Sequence, residues 1–496
     1  MTEQNEVKKQ SSLKVNFILN AILTISGFLF PLISFPYVSR VLQPIGTGKV
    51  QTATSFVAYF SMIAGLGIPT YGVRVCAKAR DDKDKLSRVV QELFIINAVM
   101  SVVSYAALFI CISLIPKLQV ERELYLVSSL IIFFNLVGME WLYKGLEKYR
   151  YITIRSIIFK FIALVAMFLL IHKQEDYVIY GGITIFASSA SGVMNFINVR
   201  KYVSFKKKGP YEFRPHFKAV AIFFAMSCAT TIYTNLDAVM LSFMKGDTEV
   251  GYYNASVKIK QILVGIVTSL GTVILPRASY YVEHKMMDDF RRISGKGLNF
   301  VLIFATPLML YFMIFASEGI YFLSGSAYKN AIIPMIIIMP TLLLIGITNI
   351  LGIEILVPLG REKVVLHSEI AGAITDVVLN LILIPEFKSS GAAIGTLVAE
   401  MVVFIYQYMA LRKEVGYAFR NISYIKIFIG MLFAAASCFW VKLLPLGNSE
   451  LHCFIKIAVS GVLFFGVYGL TLYISGEQLS REIAGSIYGR IKGEKV

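Results

Sequence analysis

TIYTNLDAVMLSFMKGDTEVGYYNASVKIKQILVGIVTSLGTVILPR, residues Thr231 to Arg277, decides the fold class. Two long apolar runs flank a short polar turn and carry a carboxylate, Asp237, and two lysines, Lys258 and Lys260. A run of about 20 apolar residues matches the hydrocarbon thickness of a bilayer. A charge near the centre of such a run costs at least about 2.5 to 3.5 kcal/mol on insertion scales, so it faces a protein interior or a wet cavity. The stretch therefore reads as two membrane helices beside a polar interior.

The rest of the chain follows the same pattern. Of 496 residues 56% are hydrophobic and 16% charged, and the mean hydropathy is +0.68, which marks an all-α polytopic membrane protein. Spans fall near 15–38, 48–73, 90–115, 122–143, 151–172, 177–199, 219–243 and 251–281. Others fall near 298–323, 331–358, 364–385, 390–411, 425–445 and 453–475, about fourteen in all. The expected organisation is a cytoplasmic N-terminus over 1–14, a first six-span bundle over 15–203, a cytoplasmic linker over 204–218 and a second six-span bundle over 219–412. An extra helix pair over 425–475 and a cytoplasmic tail over 476–496 complete it.

The formal charge of +17 sits in loops between spans, not in a basic patch interleaved with aromatics, so nucleic acid is not the expected partner. With the N-terminus inside, the alternate loops and tail collect about 32 of the 48 Lys+Arg, the bias of cytoplasmic loops. Both ends are then cytoplasmic. The first apolar run is too long, and lacks a small-residue cleavage site, to be a removed signal peptide. Cys76, Cys111, Cys228, Cys438 and Cys453 are scattered, with no CxxC pair or even framework, and read as small apolar residues. Arg74 to Leu93 reads either as a short amphipathic helix along the headgroups or as a solvated connector, and the tail from Gln478 to Val496 shares that ambiguity. An offset of 203 positions superposes Gly48 on Gly251, Arg74 on Arg277 and Arg88 on Arg291, an echo expected of two parallel bundles. Tyr180-Gly181-Gly182 and Ser390-Gly391-Ala392 form a looser echo.

No G-x-x-x-x-G-K-[ST], H-E-x-x-H or G-x-S-x-G motif is present, so neither nucleotide-driven nor hydrolytic chemistry is expected. The groups left to carry function are polar residues inside spans. Arg40, Arg155, Lys160 and Lys258 would make a cavity cationic and suit an anion such as a diphosphate, Arg as a fork and Lys as a point charge. The competing reading is that these long side chains snorkel to the interface. Asp376 and Asn380, four apart on one helix face, together with Thr396 and Asp237 offer oxygen ligands for a hard cation. Coupling to Na⁺ or H⁺ is the sharp reading, and an interhelical hydrogen-bond cluster is the plain one. Glu140, Glu354 and Glu400 lie toward span ends, and at least two of them are expected to cap a helix or pair with a loop. Pro69, Pro276, Pro340, Pro358 and Pro385 read as kinks. Trp141, Tyr252 and Tyr253 read as aromatic-belt residues.

Several phrases resemble one family: FPYVSRVLQPIGTGKV (Phe35 to Val50), GIPTYGVR (Gly67 to Arg74) and MEWLYKGLEKYRYITIRSIIFK (Met139 to Lys160). GYYNASVKI (Gly251 to Ile259), LPRASYY (Leu275 to Tyr281), LGIEILVPLGREK (Leu351 to Lys363) and NLILIPEFKSSGAAIGTLVAE (Asn380 to Glu400) extend the match. Together they resemble the bacterial polysaccharide-export, or Wzx-type oligosaccharide repeat-unit flippase, family of the multidrug/oligosaccharidyl-lipid/polysaccharide exporter superfamily. The resemblance implies two six-helix lobes in a V around a cationic cavity, moving undecaprenyl-diphosphate-linked oligosaccharides from inner to outer leaflet by alternating access. It implies the bacterial cytoplasmic membrane, a monomer, no cofactor beyond a coupling Na⁺ or H⁺, and a polysaccharide polymerase and other assembly proteins as partners. The last two spans resemble the extra pair of lipid II flippases, which helps form a groove for the lipid tail. Arg40, Arg155, Lys160 and Lys258 match expected basic positions, and Asp237, Asp376, Asn380 and Thr396 resemble a cation site. Gln43 departs from the usual Gly and Asp376 from the more frequent Asn. The alternatives are lipid II flipping and multidrug/cation antiport. A membrane glycosyltransferase or polymerase would need a carboxylate base, a metal motif or a large outer loop, and none is apparent.

Overall fold

The computed structural model describes residues 2–206, 209–268, 271–420 and 422–481. In chain order the helices are α1 (Thr2–Gly65), α2 (Ile68–Ala79), α3 (Lys83–Leu114), α4 (Pro116–Val120), α5 (Arg122–Gly138), α6 (Glu140–Gly145), α7 (Tyr149–Leu170), α8 (Tyr177–Ile185), α9 (Gly192–Asn198) and α10 (Arg214–Lys245). Then come α11 (Asp247–Thr268), α12 (Gly271–Glu283), α13 (Met287–Ile314), α14 (Ala316–Ser324), α15 (Ile332–Ile338), α16 (Thr341–Asn349), α17 (Glu362–Arg420), α18 (Tyr424–Lys442) and α19 (Glu450–Ile474). No strand occurs among the described residues. The tail expected over 476–496 lies outside them from residue 482 onward.

Ten helices among the described residues are long and apolar enough to cross a membrane, or eleven with one bent pair. Two of these, Leu29–Ala79 and Glu362–Glu414, have 51 and 53 residues, more than twice the length of about 20 that one crossing needs. Each is interrupted by a non-glycine residue with positive φ: Gln43 (φ 60°, ψ 176°) in α1 and Lys388 (φ 52°, ψ −129°) in α17. Glu362–Glu414 therefore holds the spans expected at 364–385 and 390–411, and Leu29–Ala79 holds the one at 48–73 with the end of the one at 15–38. The span near 251–281 is shared by α11 and α12.

The chain packs as two compact units, Met1–Gly251 and Tyr252–Val496. In the first, α1 packs against α3, α5, α7 and α10. Its close approaches need glycine. Gly67 has φ 73° and a Cβ there would stand 2.5 Å from the Phe224 backbone nitrogen, so α10 passes against bare backbone. Where the second half of α1 meets the first turn of α11, a Cβ on Gly48 would overlap the Asp247 carbonyl, and one on Gly251 would overlap that of Pro44. The two echoed glycines thus lie at one contact. Asp247 Oδ1 locks it by accepting from Thr52 Oγ1 at 2.8 Å and Ser242 Oγ at 2.5 Å.

Arg74 to Leu93 is not a helix of its own. It comprises the end of α2, a turn, and the start of α3, where Asp82 Oδ1 caps the Asp84 and Lys85 amides at 3.0 Å each. Beside it, residues 204–206 and 211–216 are bound to α3. Gln91 Nε2 donates to the Ser204 and Lys206 carbonyls, Tyr211 Oη donates to Gln91 Oε1 at 2.9 Å, and the Glu212 amide donates to Glu92 Oε1 at 2.7 Å.

In the second unit α13 packs with α12, α16 and α17, and the pair α18 and α19 packs most closely with itself. Tyr311 Oη bonds the Ile457 carbonyl at 2.7 Å and Ser460 Oγ at 2.9 Å, and Tyr468 Oη donates to the Ile303 carbonyl at 3.0 Å, tying α19 to α13. Residues Ser326–Ile338 and Thr341–Leu356 meet at a 45° bend, where Pro340 supplies the expected kink. A π-helical turn, Ile350–Leu356, closes that arm.

Candidate functional sites

In the first unit, α7 carries two of the expected basic groups. Arg155 is buried, its Nη1 donates to the Ser191 carbonyl, and its guanidinium lies 5.9 Å from the Tyr151 ring centroid. Beside it a cavity of about 570 Å³ is lined by Glu147, Lys148, Arg150, Tyr151, Arg155 and Met194, among others. Lys160 Nζ donates to Ser26 Oγ on α1 at 2.9 Å, so it bridges two helices. Arg40 lies on α1 just before the Gln43 break and donates from Nη1 to the Pro36 carbonyl. Lys258 lies in the second unit, on α11, half-buried and with no ion pair or hydrogen bond from its side chain among the described residues.

The second unit gathers three of the four expected cation ligands. Asp376, Asn380 and Thr396 are 2%, 0% and 7% exposed. Around Gly395, a Cβ would stand 2.5 Å from Asn380 Oδ1 and 3.1 Å from Asp376 Oδ1, so carboxylate and amide oxygens converge on one small space. Thr396 Oγ1 bonds Tyr253 Oη at 2.9 Å and donates to the Ala392 carbonyl at 3.0 Å. Tyr253, 6% exposed, is thus part of this cluster and not of an aromatic belt. Oxygen donors of this kind suit a hard cation. Asp237, also buried, belongs to the first unit. No group of three or more His, Cys, Asp or Glu that could hold a metal occurs among the described residues.

A second cavity in the first unit, about 440 Å³, was not apparent from charge alone. It is walled by α1, α3, α5, α6 and α10 and lined by Ser61, Asn97, Asn135, Trp141, Thr231 and Asn235, among others. Trp141, expected in the interfacial belt, is 4% exposed instead. Gly72 makes room for it: a Cβ there would stand 2.7 Å from the indole. Glu140 opens α6 and pairs with Lys144 at 3.0 Å on the cavity wall. The amides that build this site are single polar residues inside apolar spans, and a search confined to charged groups passes over them.

Of the three span-end glutamates, Glu354 caps nothing: it is 0% exposed on the π-helical turn, and neither carboxylate oxygen has a hydrogen-bond partner among the described residues. Between α18 and α19 lies an open groove of about 700 Å³ lined by Phe433, Ser437, Val467, Thr471 and Ile474, among others.

Comparison with known proteins places these features in context. The family model described as "Polysaccharide biosynthesis protein" matches residues 13–282, more than half of the chain, and the MatE model matches 223–382. A protein provisionally named an O-antigen transporter in Escherichia coli (strain K12) is 26% identical over 407 residues, 81% of this chain and 97% of its own. Among solved structures, the inward closed conformation of the lipid II flippase MurJ superposes with a TM-score of 0.67 at 18% identity, covering 92% of this chain and 99% of that one. An inward-facing multidrug resistance MATE family transporter gives 0.62 at 14% identity, covering 82% and 99%. At these identities the structural likeness speaks for the fold.

Proposed function

The chain belongs to the polysaccharide biosynthesis protein family, and from that premise we propose that it flips undecaprenyl-diphosphate-linked oligosaccharide repeat units from the inner to the outer leaflet of the bacterial cytoplasmic membrane. It is a multi-pass membrane transporter, not an enzyme. The observation that carries the substrate reading is the relative named for O-antigen transport, which aligns over 97% of its length.

The chemistry supports it. A sugar-diphosphate head is too polar to enter hydrocarbon, whereas its lipid tail can remain there, so the protein has to supply a polar path. Arg40, Arg155, Lys160 and Lys258 offer positive charge to the diphosphate. The groove between α18 and α19, apolar on most of its wall, suits an isoprenoid tail. Asp376, Asn380 and Thr396 of the second unit serve as the coupling-cation site, and an ion gradient drives turnover. One charge crossing 100 mV is worth about 2.3 kcal/mol. Both termini are cytoplasmic, and polymerase and other assembly proteins act on the delivered unit.

The test is reconstitution into liposomes holding a polyprenyl-diphosphate oligosaccharide, following how fast an impermeant reagent reaches inner-leaflet headgroups. Acceleration over empty liposomes, lost in Arg40→Ala and Lys258→Ala proteins that still insert, supports the reading. No acceleration with several glycans, or expulsion of a cationic dye instead, overturns it, and acceleration with lipid II alone reassigns the substrate.

A further inference from the structure

We propose that the 440 Å³ cavity of the first unit is a saccharide subsite that reads the sugar, separate from the basic groups offered to the diphosphate. The proposal rests on the flippase reading for its substrate and on the cavity's own chemistry for its selectivity. Ligand pockets span roughly 300 to 1,000 Å³, so this one suits a short saccharide.

The lining decides the ligand class. Asn97, Asn135 and Asn235 supply amides and Ser61 and Thr231 supply hydroxyls, groups that both donate and accept and so match sugar hydroxyls, which do the same. These side chains are already oriented by neighbours: Asn135 Nδ2 donates to Ser61 Oγ at 3.2 Å, Asn235 Nδ2 donates to the Thr231 carbonyl at 3.1 Å, and Asn97 Oδ1 accepts from Ser101 Oγ at 3.3 Å. Trp141 is more than nine-tenths buried, and its indole Nε1–H has no acceptor among the described residues. A buried donor left in that state costs free energy that a ligand oxygen recovers. The one acidic group in the lining, Glu140, is paired with Lys144, so the wall offers neither an unpaired carboxylate for a cationic drug nor an unpaired cation for a phosphate. An uncharged sugar ring is the ligand that uses what is present.

The protein carries its own reporter. It has two tryptophans: Trp141 lines the cavity and Trp440 is 50% exposed on α18. In full-length Trp440→Phe protein in detergent, emission therefore comes from Trp141. Titration with lipid-linked saccharides that differ in one sugar, and with free glucose, galactose, N-acetylglucosamine and N-acetylgalactosamine, should shift that emission saturably and with preference among sugars. Asn135→Ala and Asn235→Ala should each raise the half-saturation concentration about five- to tenfold, as expected for losing one or two hydrogen bonds, with unchanged melting temperature. Trp141→Phe, which keeps a ring and removes the N–H, should raise half-saturation for translocation by a similar factor. Wild-type translocation combined with unaltered half-saturation and sugar preference in all three variants overturns the subsite and leaves the flippase standing. Saturable, sugar-selective emission changes without headgroup translocation by the wild type overturn the flippase reading and leave the subsite standing.

Discussion

Two buried glutamates, one in each unit, are held in opposite ways. Glu92, 2% exposed in the first unit, meets Arg88 Nε at 3.1 Å and His216 Nε2 at 2.9 Å and accepts the Glu212 amide. His216 is held in turn by Tyr71 Oη at 2.8 Å. Glu354, fully buried in the second unit, has no such partner among the described residues. A carboxylate surrounded by donors recovers the cost of its burial, whereas an isolated one in apolar surroundings does not. The first unit spends a carboxylate on fastening residues 212–216 to α3, and the second encloses one that fastens nothing.

The sharpest way to break this contrast is a pair of isosteric changes. Glu92→Gln removes one of the two carboxylates that hold Arg88, the other being Glu212 at 2.8 Å, and weakens the bond to His216, and should cost about 2 to 3 kcal/mol, the upper range for hydrogen bonds to a charged group. Glu354→Gln should cost less than about 1 kcal/mol, because no partner is lost. Thermal melting of both proteins in detergent measures the difference, and equal losses would refute it. Next in size is the glycine contact. Gly48→Ala should destabilise by about 1 to 3 kcal/mol through overpacking. Gly466→Ala, in a helix of the second unit with open space around it, should be neutral or stabilising by up to about 1 kcal/mol.

The third prediction concerns the oxygen cluster. Asp376→Asn removes the one formal charge from the converging set in the second unit and should raise the Na⁺ concentration for half-maximal transport about tenfold, or about 1.4 kcal/mol. Asn135→Asp in the first unit should leave that Na⁺ dependence unchanged. Flux measured against external Na⁺ in liposomes separates the two. The smallest effect is expected at the α1 break. Gln43→Gly relieves a backbone conformation that costs about 1 to 3 kcal/mol for a side-chain-bearing residue. It also loses the 2.6 Å bond from Gln43 Nε2 to the Arg40 carbonyl, worth about 0.5 to 1.5 kcal/mol. A net gain below about 2 kcal/mol should register in the same melting assay, whereas Gln43→Val, with neither the bond nor tolerance for that φ, should lose stability.

Apolar length made the spans legible, because bilayer thickness imposes it on sequence directly. The breaks were less so. Gln43 and Lys388 occupy φ values that their residue types do not advertise, and only the departure from the usual glycine at Gln43 pointed to one of them. Pro69 was read as a kink, yet it lies in the first turn of α2, where its missing N–H leaves no helix bond unmade. At the candidate sites, helical spacing was enough to place Asp376 and Asn380 together. Trp141 and Tyr253 were misread because a tryptophan or tyrosine near a span end looks the same whether its ring faces lipid or a neighbour. The facing partner, Gly72 for one and Thr396 for the other, is remote in sequence. Neutral amides such as Asn135 carry no charge to mark them, although their isolation inside an apolar run was visible.

The meeting of Gly48 and Gly251 also constrains how this chain can drift. Every amino acid reachable from a glycine codon by one missense change carries a Cβ, and at either position that carbon would fall on a backbone carbonyl rather than on a side chain that could rotate away. Mutating one glycine therefore cannot be compensated by trimming the other, since neither has anything left to trim. Second-site suppressors should instead arise where the backbone can yield, around the Gln43 break and the turn between α10 and α11.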